Sequence, residues 1–103
     1  MADPMARIQE LEKELDRVFW NLLIPLRDEK RIDEPLYAKF LVGLDELVAL
    51  VRDKKDVKKR VVSFLYLVYE VFLAESKLSR NPGEIREQAS KLQERLESLW
   101  DEI

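Results

Sequence analysis

The hydrophobic and polar positions divide the chain into four segments in which apolar residues recur every three or four positions. This spacing places the apolar residues on one face of an α-helix. Three segments, at residues 8–22, 37–51 and 85–103, carry a single apolar stripe with charged residues on the other face. The predicted helices cover residues 4–25, 34–52, 56–78 and 82–102.

The third segment, residues 60–78, is apolar around most of its circumference. At about 100° per residue its apolar side chains cover roughly 260°, against about 100° for an ordinary surface helix. Only Ser63, Glu70 and Lys77, spaced seven residues apart, form a polar strip. The apolar run is shorter than the ~20 residues of a membrane-spanning helix. The pattern therefore indicates a core helix enclosed by several neighbours.

Residues that cap or break helices mark most of the joins. Pro25 is expected to end the first helix or to kink it at the preceding turn, because proline lacks an N–H group. Asp33 is suited to cap the second helix, with Pro35 in its first turn. Residues 81–84, Asn-Pro-Gly-Glu, are typical of a capped helix start and predict the beginning of the fourth helix.

The join at residues 52–60 contains neither glycine nor proline. The second and third helices could therefore form one continuous rod, which would favour a domain-swapped dimer. The apolar stripe is interrupted by lysines at this point, and Asp53 and Asp56 are both acceptable helix caps. We favour a short turn over the rod.

Four amphipathic segments joined by short connections predict an all-α fold, an up-down-up-down four-helix bundle with the third helix central. A single domain over residues 1–103 fits this length. Gly43 lies inside the second helix, where glycine costs about 1 kcal/mol relative to alanine. A close helix crossing would explain it, and so would chance.

The composition removes several classes of chemistry. The chain has no cysteine and no histidine, which excludes disulfides, thiol nucleophiles, thiolate metal sites and the commonest general base. No glycine-rich phosphate loop, EF-hand or serine nucleophile motif is present. Glu70, the only acid within the apolar run, has no second acid near it in sequence with which to share acid–base chemistry. We expect a non-catalytic protein without a metal or cofactor.

Charge and composition also bear on the setting of the protein. The net charge of −3 argues against a surface that binds nucleic acid as a whole. The first residues lack the apolar segment of a signal peptide, so we expect a cytoplasmic protein. Threonine is absent, and asparagine and glutamine are scarce beside lysine and glutamate, a composition that leans toward a thermophilic source.

Surplus apolar surface is the first candidate for a functional site. The third helix is more apolar than a bundle requires, and the first helix carries apolar residues beyond its stripe. Apolar patches of this kind usually mark an interface, where aromatic residues are favoured. Alternatively, packing around Pro25 buries these side chains within one chain. The interface predicted for a homodimer or a protein partner comprises Trp20, Ile24, Phe64, Tyr66, Leu67, Tyr69 and Val71.

A basic cluster in the join is the second candidate, and it carries the alternative function. Its positive charge could bind phosphate groups of nucleic acid or of an anionic membrane surface. Asp53 and Asp56 dilute the charge, and no aromatic residue is interleaved to stack on bases. Lysines on a turn also commonly serve solubility. The cluster comprises Lys54, Lys55, Lys58, Lys59 and Arg60.

Overall fold

The structure is a computed structural model that describes residues 4–77 and 82–100. Those residues form four α-helices and no strand. The all-α four-helix bundle predicted from the sequence is therefore confirmed. The predicted cap at Asn81 lies outside the described residues. The helices are α1 (Pro4–Asp28), α2 (Glu34–Val51), α3 (Lys55–Ser76) and α4 (Pro82–Trp100).

The helices are arranged as two hairpins, because α1 packs most extensively on α2 and α3 on α4. The hairpins meet through α2 and α3, with further contacts of α1 with α3 and of α2 with α4. Over the described residues, no Cα atom of α1 lies within 8 Å of one in α4. The cross-section is therefore a rhombus with α2 and α3 on its short diagonal. The central position predicted for α3 is confirmed, and α2 shares it.

This arrangement flattens the molecule, whose principal extents are 46 × 26 × 16 Å. One broad face presents α3 between α1 and α4, and the opposite broad face presents α2 between the same two helices. We call them the α3 face and the α2 face. None of the helices in the described part of the chain is long and apolar enough to cross a membrane.

Aromatic side chains connect three of the four helices in the core. The rings of Phe19 and Phe64 meet edge to face at 5.9 Å between centroids, which joins α1 to α3. Phe40 of α2 lies 6.3 Å from Phe64, and Tyr37 stacks on Phe72 at 5.4 Å. Such pairs add about 0.5–1.5 kcal/mol beyond the burial of their area. The core therefore extends continuously from α1 through α2 to α3.

Tyr37 connects the core to the fourth helix. Its hydroxyl donates a hydrogen bond of 2.5 Å to the backbone carbonyl of Gln88. Burial raises the pKa of Tyr37 well above its ordinary value. The hydroxyl therefore stays protonated and remains a donor at all physiological pH values.

The first helix continues through Pro25 and ends at Asp28, three residues beyond the predicted end. The Pro25 carbonyl accepts a hydrogen bond of 3.0 Å from the N–H of Glu29. One more turn also places Leu26 in the core, four residues after Leu22 on the same stripe, and both are 1% exposed. The burial of Leu26 favours continuing the helix and offsets the hydrogen bond that proline cannot donate.

The connection between α1 and α2 is held at both of its ends. Asp33 caps α2 as predicted, because its carboxylate accepts a hydrogen bond of 3.2 Å from the N–H of Leu36. Lys30 adopts a left-handed backbone conformation with φ of 52°. Its ammonium group lies 2.5 Å from the carboxylate of Glu75 on α3. The connection is therefore anchored to the end of the second hairpin.

A turn at residues 52–54 separates α2 from α3, so the continuous rod does not form. Neither Asp53 nor Asp56 caps α3, in contrast to the sequence prediction. The capping position is occupied by Lys54, which makes no side-chain capping bond. The helix therefore begins two residues closer to the turn than a cap at Asp56 would place it.

Gly43 marks a close approach of α1 and α2. A Cβ atom added at Gly43 would lie 2.9 Å from Cδ2 of Leu15. The glycine therefore lies where the Leu15 side chain of α1 packs closely against α2, as expected for a close helix crossing.

Candidate protein interface

The predicted interface residues differ in how far the bundle buries them. Phe64, Tyr69 and Val71 are partly buried and pack against the core. The other four are exposed, so packing around Pro25 does not bury the whole set within one chain. The exposed fractions are 58% for Trp20, 62% for Ile24, 51% for Tyr66 and 53% for Leu67.

Two contacts align α1 with α3 on the α3 face. The guanidinium of Arg60 donates hydrogen bonds of 2.6 and 2.8 Å to the two carboxylate oxygens of Glu12. Seven residues further along α1, Phe19 meets Phe64. Residue numbers increase in the same direction along both helices, so α1 and α3 run parallel and side by side.

Exposed apolar side chains line the border between α1 and α3. On α3, Phe64, Leu67 and Val71 follow Arg60 at helical spacing, so they lie on the edge that faces α1. On α1, Trp20 follows the Glu12 edge by two turns, and its ring centroid lies 6.0 Å from that of Phe19. The open apolar area on and beside this border, which we call the α1/α3 surface, consists of Trp20, Phe64, Leu67 and Val71, with Ile24 one turn beyond Trp20 on α1.

Tyr66 and Tyr69 lie on the other edge of α3. Tyr66 follows Phe64 by two residues and therefore projects about 200° away from it around the helix axis. That edge of α3 borders α4, its main packing partner. The structure thus divides the seven predicted residues between two edges of α3, with five at α1 and two at α4. A helical-wheel projection of α3 alone does not show which neighbouring helix borders each of its edges.

A polar strip separates the two edges of α3. Ser63, Glu70 and Lys77 are all exposed, as their seven-residue spacing indicated. The negative charge of Glu70, followed by its hydrogen bond, raises the pKa of the Tyr66 hydroxyl. Tyr66 therefore stays protonated, and the polar strip lies open on the outer side of α3.

The basic residues of the turn do not converge on one open patch. Lys58 is only 4% exposed, and Arg60 is held by Glu12, whose hydrogen bond raises the pKa of the guanidinium. Lys54 is half-buried and lies 3.6 Å from an oxygen of Asp53. Only the remaining two members, Lys55 and Lys59, are freely exposed. Burial and pairing over long sequence separations were not visible in the run of basic residues.

A small hollow lies at the end of the α1/α3 border where Glu12 pairs with Arg60. Its volume of about 200 Å³ is below the ~300–1,000 Å³ of typical small-molecule sites. Its main charged groups, Glu12 and Arg60, pair with each other. Among the described residues, no three acidic side chains are grouped so that they could hold a metal ion. Asp16 is the other charged group in the lining, and the remaining side chains there are apolar. The hollow therefore offers one further carboxylate and no set of converging polar groups of the kind that orients a ligand.

Comparisons with known proteins give no match. No protein-family model matches the sequence, and no curated protein or solved structure is significantly similar to the chain.

Proposed function

We propose that this protein is a small, non-catalytic helical interaction module that acts through protein–protein contacts as a homodimer. The observation that carries the proposal is the open α1/α3 surface. Three of its side chains are more than half exposed: Trp20 at 58% and Ile24 at 62% on α1, and Leu67 at 53% on α3. Large apolar side chains grouped in this way on a small bundle are typical of an interface.

The energy available from this surface supports association. A tryptophan side chain that is 58% exposed offers about 140 Å² for burial, which contributes up to about 3.5 kcal/mol at 25 cal/mol/Å². In a symmetric dimer the contribution is made twice. Energies of this size exceed the ~2 kcal/mol that marks an interface hot spot.

The α3 face is also large enough for a stable contact. A standard interface buries about 800 Å² on each partner. The broad faces of the molecule measure 46 × 26 Å, so such a contact fits on one face without involving the ends of the bundle. On the opposite α2 face, the described residues expose one large aliphatic side chain, Val42, at 71%.

The test is the mass of the full chain in solution, measured by light scattering across a dilution series. The proposal predicts a mass near twice 12.2 kDa that falls toward 12.2 kDa on dilution. A mass of 12.2 kDa up to several hundred micromolar would refute the homodimer, and the surface would then require a different protein partner. A cytoplasmic location and a thermophilic source are further proposals that rest on the sequence alone.

A further inference from the structure

We infer that the two copies pack antiparallel, with α3 against α3 about a two-fold axis at Leu67. The inference rests on the proposed homodimer and adds the direction of packing and the residue pairs that meet. Two features support it: the charges on the outer side of α3, and the positions of the exposed apolar residues along the axis of α1.

The outer side of α3 carries a regular seam. Seven exposed residues follow one another at spacings of four and three, so they lie along one line on the helix surface. Leu67 is the large apolar side chain at the centre of the seam, and the small residues near it allow two helices to approach closely. In order, the seam consists of Asp56, Arg60, Ser63, Leu67, Glu70, Ala74 and Lys77.

The seam is complementary to its own reverse. When a second copy runs in the opposite direction about Leu67, Asp56 faces Lys77 of that copy, and Ser63 faces Glu70. Opposite charges then meet near both ends, and the Glu70 carboxylate lies against a small residue, Ser63, whose hydroxyl donates to the Lys59 carbonyl of its own helix. A parallel arrangement would instead place each charge against the same charge, which is unfavourable at close range. The charge pattern therefore favours the antiparallel direction.

The two-fold axis at Leu67 also passes close to Trp20 on α1. The contact of Phe19 with Phe64 sets Leu67 level with about residue 22 of α1, and the Glu12–Arg60 pair sets it level with about residue 19. A two-fold axis within the α3 face and perpendicular to α3 brings α1 over its own copy. The turn that begins at Trp20 therefore lies against the same turn of the second copy.

Disulfide formation tests the direction directly, because the native chain has no cysteine. Residues 63 and 70 are about 10 Å apart along one helix, whereas disulfide-bonded Cα atoms are usually 4.4–6.8 Å apart. The double variant Ser63→Cys/Glu70→Cys should form covalent dimers on oxidation, while either single variant should not. The solution mass of each reduced variant is measured first, so a lost dimer is distinguished from a dimer of another geometry.

Each outcome is decisive. Cross-linking of the double variant alone supports antiparallel packing. Dimers in which the single variants cross-link would establish parallel packing, and dimers in which no variant cross-links would place the seam outside the interface. Both results overturn the inference while leaving the homodimer intact. Monomers in all reduced samples, including the native chain, would refute the proposed function and the inference with it.

A charge exchange gives an independent readout. Asp56→Lys and Lys77→Asp should each weaken the dimer about ten-fold, and the double variant should recover most of the loss. Asp56 and Lys77 also suit the dipole of their own helix, so the exchange places both charges at the unfavourable helix end. Recovery therefore cannot come from a more stable helix. If the double variant is at least as weak as the worse single variant, the predicted pairing is wrong.

Discussion

Truncation of Leu65 tests the core on which both faces depend. The side chain has no exposed surface and lies near the middle of α3. Removing it leaves a cavity between packed helices, and Leu→Ala changes at such sites cost about 2–5 kcal/mol. Typical stabilities are about 5–15 kcal/mol, so Leu65→Ala removes a large share of the total.

Thermal unfolding followed by circular dichroism measures this loss. A domain of this size loses about 4–8 °C of melting temperature per kcal/mol, so we expect a decrease of at least 10 °C or outright unfolding. Leu67→Ala is the matched control, because it makes the same change two residues away on a side chain that is 53% exposed. At concentrations where the protein is monomeric, Leu67→Ala should cost under about 1 kcal/mol.

The comparison also gives the result that would refute this placement of α3. Equal melting temperatures for native protein and Leu65→Ala would show that the side chain is not enclosed. A larger loss for Leu67→Ala than for Leu65→Ala in dilute monomer would show that the helix is rotated from the orientation described above.

Three further predictions concern the core, the glycines and the basic turn. Tyr37→Phe should cost about 1–2 kcal/mol by thermal unfolding, since the Gln88 carbonyl loses its hydrogen-bond donor. Because folding raises the pKa of Tyr37, the stability of the native protein should fall as the pH rises above the ordinary tyrosine value near 10. The variant should not show that part of the decrease. Gly83→Ala should stabilise the protein more than Gly43→Ala, because an added Cβ meets nothing within 4 Å at Gly83 but meets a core leucine at 2.9 Å at Gly43; equal gains would contradict the close crossing. Neutralising Lys55 and Lys59 should leave heparin retention unchanged, whereas retention that is strong, salt-sensitive and lost in this variant would favour the phosphate-binding alternative.

The sequence was sufficient to predict the number and type of helices. The apolar spacing located all four, and Asp33 caps α2 as its position indicated. The end of α1 was placed too early, because the loss of a hydrogen bond at Pro25 was weighed without the burial of Leu26 in the core. Helix ends depend on such tertiary gains, which a local pattern does not contain.

The site was harder to predict than the fold. The broad apolar arc of α3 suggested enclosure on nearly all sides, but Tyr66 and Leu67 remain open. Apolar character shows that a side chain can be buried, and only the arrangement of neighbouring helices decides whether it is. The basic residues do not form one open patch for a related reason: Lys58 is buried, and Arg60 pairs with Glu12, 48 positions away in sequence.

The central claim, that a second copy of the chain binds at the α1/α3 surface, is tested most directly by one pair of variants. Trp20→Glu places a charge in that surface, and Val42→Glu places the same charge on the exposed α2 face, where Val42 is 71% exposed. Light scattering at one matched concentration should give monomeric mass for Trp20→Glu and dimeric mass for Val42→Glu and the native protein. Dimeric mass for Trp20→Glu, with native helicity retained in both variants, would contradict the claim.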